Sequence, residues 1–196
     1  MGVGSTMEVS KNWDVIKASL VHDPTDLIEP PPWERGVYKY HGPGNVERQE
    51  EIEKQVPGSL GRWGYPKYKS LHYKIKGIVE NLIGEELYPT YHYDRYYFKG
   101  QDLSRHRDRP ACEVSVTYHV SSNADYSWPI YFQRNNSDAP VGITCLPGDA
   151  VVYRGCDLWH WREPLMGNHK TYFHQIFFHY VRANGPYVQY ADDWQM

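Results

Sequence analysis

The sequence predicts a mainly β fold with flanking α-helices, arranged as an antiparallel β-sandwich or jelly roll. From Leu87 onward, short runs of aromatic and β-branched residues alternate with turn-forming residues, which is typical of consecutive short strands. Helical patterns occur only before that point. The 18 Tyr and 7 Trp bring the aromatic content to 15%, and such residues favour strands.

The N-terminal part of the chain carries loop and helix signals. Prolines and glycines within residues 20–45 predict a long extended loop. The polar stretch 45–56 begins with Asn45, a residue type that caps helices, and predicts a short polar helix. A stronger helix follows and is predicted to end at Gly84. Its apolar residues at helical spacing are Leu71, Ile75, Ile78, Val79 and Leu82.

Six strands are predicted after the helices, and the chain contains no internal repeat. Their ranges are 87–98, 112–120, 128–133, 142–146, 149–154 and 170–181. A length of 196 residues is most simply one domain with a substantial core. We expect an N-terminal loop and helical part over 1–86, a jelly-roll core over 87–182 and a C-terminal tail over 183–196.

Composition argues against several classes of protein. A formal charge of −3 gives no strong field for nucleic acid or an anionic membrane. No apolar run approaches the roughly 18 residues that span a bilayer. Cys112, Cys145 and Cys156 are odd in number and widely spaced, which argues against a disulfide framework. The sequence therefore predicts a soluble cytoplasmic protein that binds neither nucleic acid nor membrane, with its oligomeric state left open.

The residues His106 and Asp108 carry the clearest chemical signal. On an extended strand, residues two apart point to one side, so these two side chains can chelate one ion. His160, 160 − 106 = 54 residues further on, is the candidate third ligand because it follows the turn and strand "LPGDAVVYR". Two neutral imidazoles and one carboxylate leave three positions of an octahedral ion open. This donor set is that of the non-haem Fe(II) oxygenases.

Three motifs over roughly residues 87–182 resemble those of the Fe(II)/2-oxoglutarate-dependent oxygenases, within them the prolyl 4-hydroxylase-like branch. "YFKGQDLSRHRD" is similar to the family's first ligand motif, with Tyr97 at its start. "PGDAVVYRGCDLWHWREP" resembles the strand, distal histidine and following proline, here His160 and Pro164. "GNHKTYF" places Lys170 ten residues beyond His160, where this branch has its cosubstrate-binding cation. The resemblance implies a double-stranded β-helix, the jelly-roll fold.

The resemblance also implies cofactors and a pocket for the cosubstrate. Fe(II) is the expected metal, 2-oxoglutarate and O₂ are the cosubstrates, and ascorbate is a candidate additional reductant. The distal carboxylate of 2-oxoglutarate needs a cation and a hydroxyl, since a buried unpaired charge is costly. Lys170 is predicted to supply the cation and Tyr97 the hydroxyl, and Tyr172 and Thr117 complete the predicted pocket.

Several residues compete for these roles. His92 and Asp94 also form a His-x-Asp pair, but on an uninterrupted strand they lie on the face opposite Tyr97. His169, His174 and His179 compete with His160 as the distal ligand, and His174 shares a strand face with Lys170 and Tyr172, which would place it at the pocket. Tyr91 or Tyr93 could replace Tyr97, and Lys170 has an alternative interpretation as a solvated lysine at a strand end. Thr117 and His119 share a face that could belong to ordinary sheet packing.

Substrate contacts are predicted from aromatic residues near the ligands. The candidates are Trp159, Trp161, Arg162, Tyr91 and Tyr93. Flat aromatic faces suit a proline ring or an extended peptide, so we expect a small-molecule or peptidyl substrate, with proline first. Arg162 could instead pair with the carboxylate of a free amino acid. Asp108 fills the position that related halogenases leave small, which predicts hydroxylation of a C–H bond.

Two other classes of function fit parts of the pattern. One is a non-catalytic metal-binding or ligand-binding jelly roll of the cupin type, which would not need Lys170 and Tyr97. The other is a hydrolytic or isomerising enzyme that uses Zn(II) or Mn(II). The prime substrate is predicted to be recognised by residues 1–86 and by the loops 121–128 and 134–141, where the resemblance is thinnest.

Overall fold

The computed structural model describes residues 14–19, 23–35, 38–40, 46–48 and 55–192. Its α-helix is α1 (Lys69–Ile83). Its strands are β1 (Val15–Ser19), β2 (Tyr38–Tyr40), β3 (Val46–Arg48), β4 (Leu60–Trp63), β5 (Leu87–Phe98), β6 (Leu103–His106), β7 (Val114–Ser122), β8 (Ile130–Gln133), β9 (Val141–Ile143), β10 (Asp149–Arg154), β11 (Trp159–Arg162) and β12 (Tyr172–Arg182).

The strands form two principal sheets. The major sheet has the order β1-β10-β7-β12-β5-β4, and the minor sheet has the order β6-β11-β8-β9. All pairings in both sheets are antiparallel. Side chains of the two sheets share apolar clusters, in one of which Leu103 of β6 packs with Tyr97 of β5 and Phe173 of β12. The fold is a jelly roll, which confirms the predicted class.

Helix α1 covers the outer face of the major sheet. Its buried residues Leu71, Ile75, Val79 and Ile83 pack in one cluster with outward residues of β12, including Ile176 and Phe178. Gly84 ends the helix in a left-handed conformation with φ 69°, and its N–H donates to the carbonyl of Glu80. The predicted helix and its terminating glycine are therefore confirmed.

Strand β12 separates the outer layer from the interior. Ile176, Phe178 and Tyr180 point towards α1, whereas the alternate residues Phe173 and Phe177 belong to the cluster between the sheets. The two faces of this strand thus fix which of its polar residues can reach a site inside the barrel.

The N-terminal part departs from the prediction in two places. The predicted polar helix over 45–56 is wrong at its start, because Val46–Arg48 is a strand that pairs with Tyr38–Tyr40. Residues 49–54 of that segment lie outside the described residues. The predicted loop over 20–45 contains a short 3₁₀ helix, Pro24–Leu27, as well as β2, and its residues 20–22, 36–37 and 41–45 lie outside the described residues.

Two unpredicted strands extend the major sheet at its edges. β1 pairs with β10 and β4 pairs with β5, so strands from before residue 87 contribute to the jelly roll. Both are short and lack a strict alternation of apolar and polar residues, and pairing with a longer neighbour defines them. Within the described ranges, no helix has the length and apolar character needed to cross a membrane.

The packing of α1 makes a prediction about stability. Ile75 is 0% exposed and Ile78, on the same helix, is 36% exposed. Ile75→Ala should lower the free energy of unfolding by about 2–5 kcal/mol, because it leaves a cavity under the helix. Ile78→Ala removes the same atoms from the surface and should change the free energy of unfolding by less than about 1 kcal/mol. Urea denaturation followed by circular dichroism measures both, and equal losses would show that α1 does not pack as described.

Candidate metal centre

The pairing of β6 with β11 brings three candidate ligands together. His106 and His160 are directly opposite each other in this antiparallel pair. Asp108 follows β6, and its N–H donates to the carbonyl of Gly155 at 2.9 Å, which brings its side chain back towards the two histidines. Residues far apart in sequence therefore meet at one end of the barrel.

The ligand atoms have the spacing of one coordination sphere. Asp108 Oδ1 lies 3.5 Å from His106 Nε2 and 3.4 Å from His160 Nε2, and the three candidate ligand atoms lie within 4.8 Å of one another. Neighbouring ligands of an octahedral ion with bonds of about 2.1 Å lie about 3 Å apart. A small inward adjustment of the side chains would close the sphere.

Hydrogen bonds fix the orientation of both histidine rings. His106 Nδ1 donates to the carbonyl of Ser104 at 2.7 Å, and His160 Nδ1 donates to that of Leu158 at 3.1 Å. With the proton held on Nδ1, the Nε2 lone pair of each ring faces Asp108, which is the tautomer that a metal ligand needs.

Asp108 is held as a carboxylate. The Ser115 hydroxyl donates to Asp108 Oδ2 at 2.7 Å and leaves Oδ1 towards the histidines. Burial opposes ionisation of Asp108, but attraction to His160 and hydrogen bonds from both histidines, when the rings also carry a proton on Nε2, outweigh it and hold its pKa well below the usual range. A bound metal ion would take the place of those Nε2 protons. A side chain at Gly155 would collide with Asp108 Oδ2 and the Cys112 carbonyl, so this glycine permits the close approach.

A second possible ligand set shares Asp108 and includes Cys112 and His179. Burial raises the pKa of the Cys112 thiol well above its ordinary value, and a protonated thiol is a poor ligand. His179 Nδ1 lies 3.0 Å from Ser115 Oγ, so this ring supports the hydroxyl that in turn orients Asp108. Burial lowers the pKa of His179 to about 4, which keeps that ring neutral. The set of His106, Asp108 and His160 is the better metal site.

The competing His92 and Asp94 pair belongs to a different layer. His92 Nε2 lies 2.9 Å from the carbonyl of Tyr65, and Asp94 forms an ion pair with Arg62 at 2.7 Å. His174 contacts the same carboxylate at 2.8 Å, and its ring stacks on Tyr96. The expectation that His174 could line the pocket is wrong, because β12 turns it away from the interior.

The interior polar group next to the metal ligands is Arg162. It follows His160 by two residues on β11 and shares its inward face. Arg162 is 3% exposed and donates to the carbonyl of Trp128 and, through Nη2, to Gln175 Oε1, each at 2.9 Å. Thr117 also donates to that oxygen. Among the described residues, no carboxylate lies within ion-pair distance of Arg162, and burial lowers the pKa of its guanidinium.

The residues predicted to bind the cosubstrate divide between the two sides of the sheet. Thr117 and Tyr97 lie inside, with the Tyr97 hydroxyl accepting from Arg95 at 3.0 Å. Tyr172 packs outward against Trp33 and is not in the interior. Lys170 lies in an exposed turn before β12. This turn precedes the first residue of β12, Tyr172, and leaves the predicted cation exposed.

The predicted substrate residues also divide. Tyr91 and Tyr93 are on the inward face of β5, where Tyr91 packs against His179 and Tyr93 stacks on Phe177. Trp159 and Trp161 alternate with the inward residues His160 and Arg162 and therefore lie on the outer face of the minor sheet. Neither tryptophan shares the inward face with the candidate ligands, so their position does not support the predicted substrate contacts.

Two polar residues near the candidate site, the exposed Gln55 and the buried Gln175, were not identified from sequence. The Gln55 side chain amide lies 3.0 Å from His106 Nε2, and its carbonyl accepts from Arg95 at 2.8 Å. Gln175 joins Arg162 to Thr117. The alternation of β12, with Phe173 and Phe177 inward, was the signal that could have identified Gln175. No local signal marks Gln55, which reaches the site from outside the predicted core.

Comparison with known proteins shows the fold. No protein-family model matches the chain, and no curated protein matches it. The crystal structure of AviO1 from Streptomyces viridochromogenes aligns over 88% of this chain and 91% of its own, with 12% identity and a TM-score of 0.60. A prolyl hydroxylase from Trichoplax adhaerens, in complex with a hypoxia inducible factor peptide, aligns over 85% and 83%, with 13% identity and a TM-score of 0.56.

A third similar structure contains bound ligands. HygX from Streptomyces hygroscopicus, with nickel, 2-oxoglutarate and hygromycin B bound, aligns over 85% of this chain and 82% of its own. The identity is 10% and the TM-score is 0.56. At such identities these likenesses establish a shared jelly roll.

The ligand assignment makes a direct prediction. Asp108→Ala should abolish binding of Co(II) or Mn(II), because it removes the anionic ligand between the two imidazoles. His92→Ala should leave metal binding nearly unchanged, since His92 lies in the outer layer. Isothermal titration and the absorption of bound Co(II) measure the outcome, with circular dichroism as the check on folding. Loss of metal in a folded His92→Ala protein, with binding retained in Asp108→Ala, would reverse the assignment.

Proposed function

We propose that this protein is an Fe(II)- and 2-oxoglutarate-dependent dioxygenase that hydroxylates a C–H bond. The observation that carries the proposal is the pairing of a two-histidine, one-carboxylate site with a buried arginine on the same inward face of β11. Fe(II) fits two neutral imidazoles and a carboxylate, and it leaves positions for a chelating cosubstrate and O₂. Structural likeness to a hydroxylase and to a protein with bound 2-oxoglutarate supports the same class.

Arg162 is proposed to bind the distal carboxylate of 2-oxoglutarate. A buried guanidinium without a carboxylate is costly, and its Nε has no hydrogen-bond partner among the described residues. His160 and Arg162 are two residues apart on a strand, or about 7 Å, which is near the length of a five-carbon dicarboxylate. A dianion could therefore reach from the metal to this cation without leaving the barrel.

This assignment transfers the predicted role of Lys170 to Arg162. Lys170 meets the spacing rule of the resembling family, but it is exposed, and a solvated lysine would pair weakly with a carboxylate. Tyr97 remains the proposed hydroxyl donor, and Thr117, whose own hydroxyl donates to Gln175, remains a proposed residue of the pocket. Gln175 has the different task of holding the Arg162 guanidinium in place.

The chain's own residues would hold the metal ion, orient the cosubstrate and exclude water. When bound, Fe(II) with its cosubstrates supplies the oxidising power for C–H hydroxylation. His106, Asp108 and His160 hold the ion, and Ser115 keeps one carboxylate oxygen turned to it. The aromatic interior keeps bulk water from the reaction. With Asp108 as the third ligand, halide has no vacant protein position, which favours hydroxylation over halogenation.

The proposed substrate is a prolyl or another amino-acid-like group. The aromatic rings of Tyr91 and Tyr93, which pack against His179 and Phe177 on the inward face of β5, suit a flat aliphatic ring or an extended peptide. Trp159 and Trp161 no longer support this choice, because they face outward. A role for ascorbate stays a prediction. A non-catalytic metal-binding jelly roll would leave the unpaired interior Arg162 without a purpose.

The cosubstrate assignment predicts different outcomes at two cations. Arg162→Gln should raise the 2-oxoglutarate concentration needed for half-maximal turnover by tens-fold or more, since a charge-assisted contact in a shielded pocket is worth about 2–5 kcal/mol. Lys170→Gln is the matched control and should change it by less than about twofold. Binding of 2-oxoglutarate to the Co(II)-loaded protein, followed by its absorption, provides a second measurement. The reverse ranking would restore Lys170 to the role.

The reaction type is tested by the products. Incubation with Fe(II), 2-oxoglutarate and proline-containing peptides, free proline or other amino acids should form succinate and add about 16 daltons to one of them, the mass of one oxygen atom. The same incubation in chloride buffer should give no chlorinated product. If only a nucleobase or a fatty acid is oxidised, the substrate assignment fails and the oxygenase assignment stands. The proposed function would be contradicted if no succinate formed with any of these substrates or in the absence of a substrate.

A further inference from the structure

The outer face of the minor sheet carries a concentrated group of arginines and aromatic rings. We call it the arginine–tryptophan surface and define it by Arg105, Arg107, Trp159, Trp161 and Tyr131. Both arginines are exposed and the three rings are half-buried. Along the chain the two exposed arginines alternate with the candidate metal ligands His106 and Asp108.

Stacking on the tryptophans orders the two guanidinium groups. The Arg105 guanidinium carbon lies 4.3 Å from the Trp159 ring centroid and 5.7 Å from that of Trp161. The Arg107 guanidinium carbon lies 4.9 Å from the Trp159 centroid. Trp161 in turn stacks on Tyr131, with centroids 5.6 Å apart. Such contacts hold a guanidinium in a fixed plane and reduce the entropy lost when it binds an anion.

Hydrogen bonds add to this order and leave the positive charges uncompensated. Arg105 Nη2 donates to Gln133 Oε1 at 2.7 Å and to Asn136 Oδ1 at 2.8 Å. Arg107 Nη2 donates to the carbonyl of Arg134 at 3.2 Å. These acceptors are neutral. Among the described residues, no carboxylate lies within ion-pair distance of either arginine.

The neighbouring acidic groups have partners other than the two arginines. Asp14 pairs with Arg134. Asp138 Oδ2 accepts from the N–H of Asn135 at 3.0 Å. Glu163 accepts from Trp161 Nε1 at 3.0 Å. In a chain whose formal net charge is −3, two fixed and unpaired guanidinium groups on one face are a local exception.

We propose that the arginine–tryptophan surface docks an acidic peptide segment of a partner protein. Planar guanidinium groups match carboxylates in a bidentate arrangement, and the charges are complementary. The aromatic faces already stack on the arginines and on one another, which leaves them poorly placed to stack nucleobases and disfavours a single-stranded nucleic acid. The occupant we assign is therefore a run of Asp or Glu side chains.

The arginine–tryptophan surface lies close to the candidate metal ligands in the chain, so docking there would place a partner near the rim of the barrel. Arg105 and Arg107 flank His106 in the chain, so an acidic segment bound there lies on the other side of the strand from the metal centre. A partner held by this segment would have its adjoining residues at the rim of the barrel. Docking does not depend on the chemistry inside, and it would stand if the proposed oxygenase function failed.

The experiment measures binding of a fluorescein-labelled hexaglutamate peptide by anisotropy. The wild-type protein should bind it saturably and more weakly as salt is raised, because the contacts are exposed charges. The double variant Arg105→Gln/Arg107→Gln should bind at least about tenfold more weakly. The variant Lys67→Gln/Lys74→Gln removes the same charge from exposed positions elsewhere and should change the affinity by less than about twofold.

Further arms separate the possible occupants. Labelled hexaglutamine should not bind, and labelled oligothymidylate should bind more weakly than hexaglutamate. Arg105→Lys/Arg107→Lys keeps the charge but loses the planar fork, and we expect intermediate affinity. If circular dichroism shows that the glutamine double variant does not fold, the affinity of this lysine double variant tests the proposal instead. The proposal would be overturned if hexaglutamate binding did not saturate, or if wild type and the Arg105/Arg107 double variants bound hexaglutamate with equal affinity. Tighter binding of oligothymidylate than of hexaglutamate would also overturn it.

Discussion

The pairing of β6 with β11 is the contact on which the rest of the site depends. It sets His106 opposite His160, and the turn after β6 then delivers Asp108 to the same point. A shift of one residue in this register would exchange the faces and place Trp159 or Trp161 inside and the ligand outside. The pairing of β11 with β8, which sets His160 opposite Phe132, fixes the register from the other side. The apolar interior thereby specifies the position of a polar site.

Buried charge is the second constraint. The two sides of the major sheet differ in whether the chain itself supplies an opposite charge to the buried group. Outside the interior, Asp94 is fully buried but has Arg62 and His174 as close partners, so its charge is satisfied by the chain itself. Inside, Arg162 is buried with only neutral hydrogen-bond acceptors. A protein gains no stability from such an arrangement. The contrast separates the Asp94 group, whose charge the chain itself pairs, from Arg162, for which we propose an anionic ligand.

The sequence predicted what depends on local pattern. The boundaries of β5 and β10 agree with the predicted ranges, and the spacing of Leu71, Ile75 and Val79 identified α1 and its buried face. The convergence of His106, Asp108 and His160 was predicted from ligand chemistry and motif order. The long strand β5 kept the alternation that separates His92 from Tyr97, since its register shift lies at its beginning, near Pro89.

The predictions that were wrong concern features that depend on tertiary placement. The count of ten residues from His160 to Lys170 is a property of the sequence, but an exposed turn takes up the end of that interval and leaves Lys170 outside. The faces of β11 decide that Arg162 points inward while its neighbour Trp161 points outward. Gln55 and β4 reach their neighbours from segments with weak local signals, and only the completed sheet defines their positions.

Hydrogen bonds within the chain order the three candidate metal ligands. Backbone carbonyls of Ser104 and Leu158 hold the two rings, and Ser115 holds Asp108. These bonds place three donor atoms together at the cost of bringing a carboxylate and two imidazoles out of water. An ion that binds there repays this desolvation and does not have to fold the site. Arg105 and Arg107 of the same stretch are exposed, and both stack on Trp159. The two proposals therefore place a cation site and an anion site on one short stretch of chain.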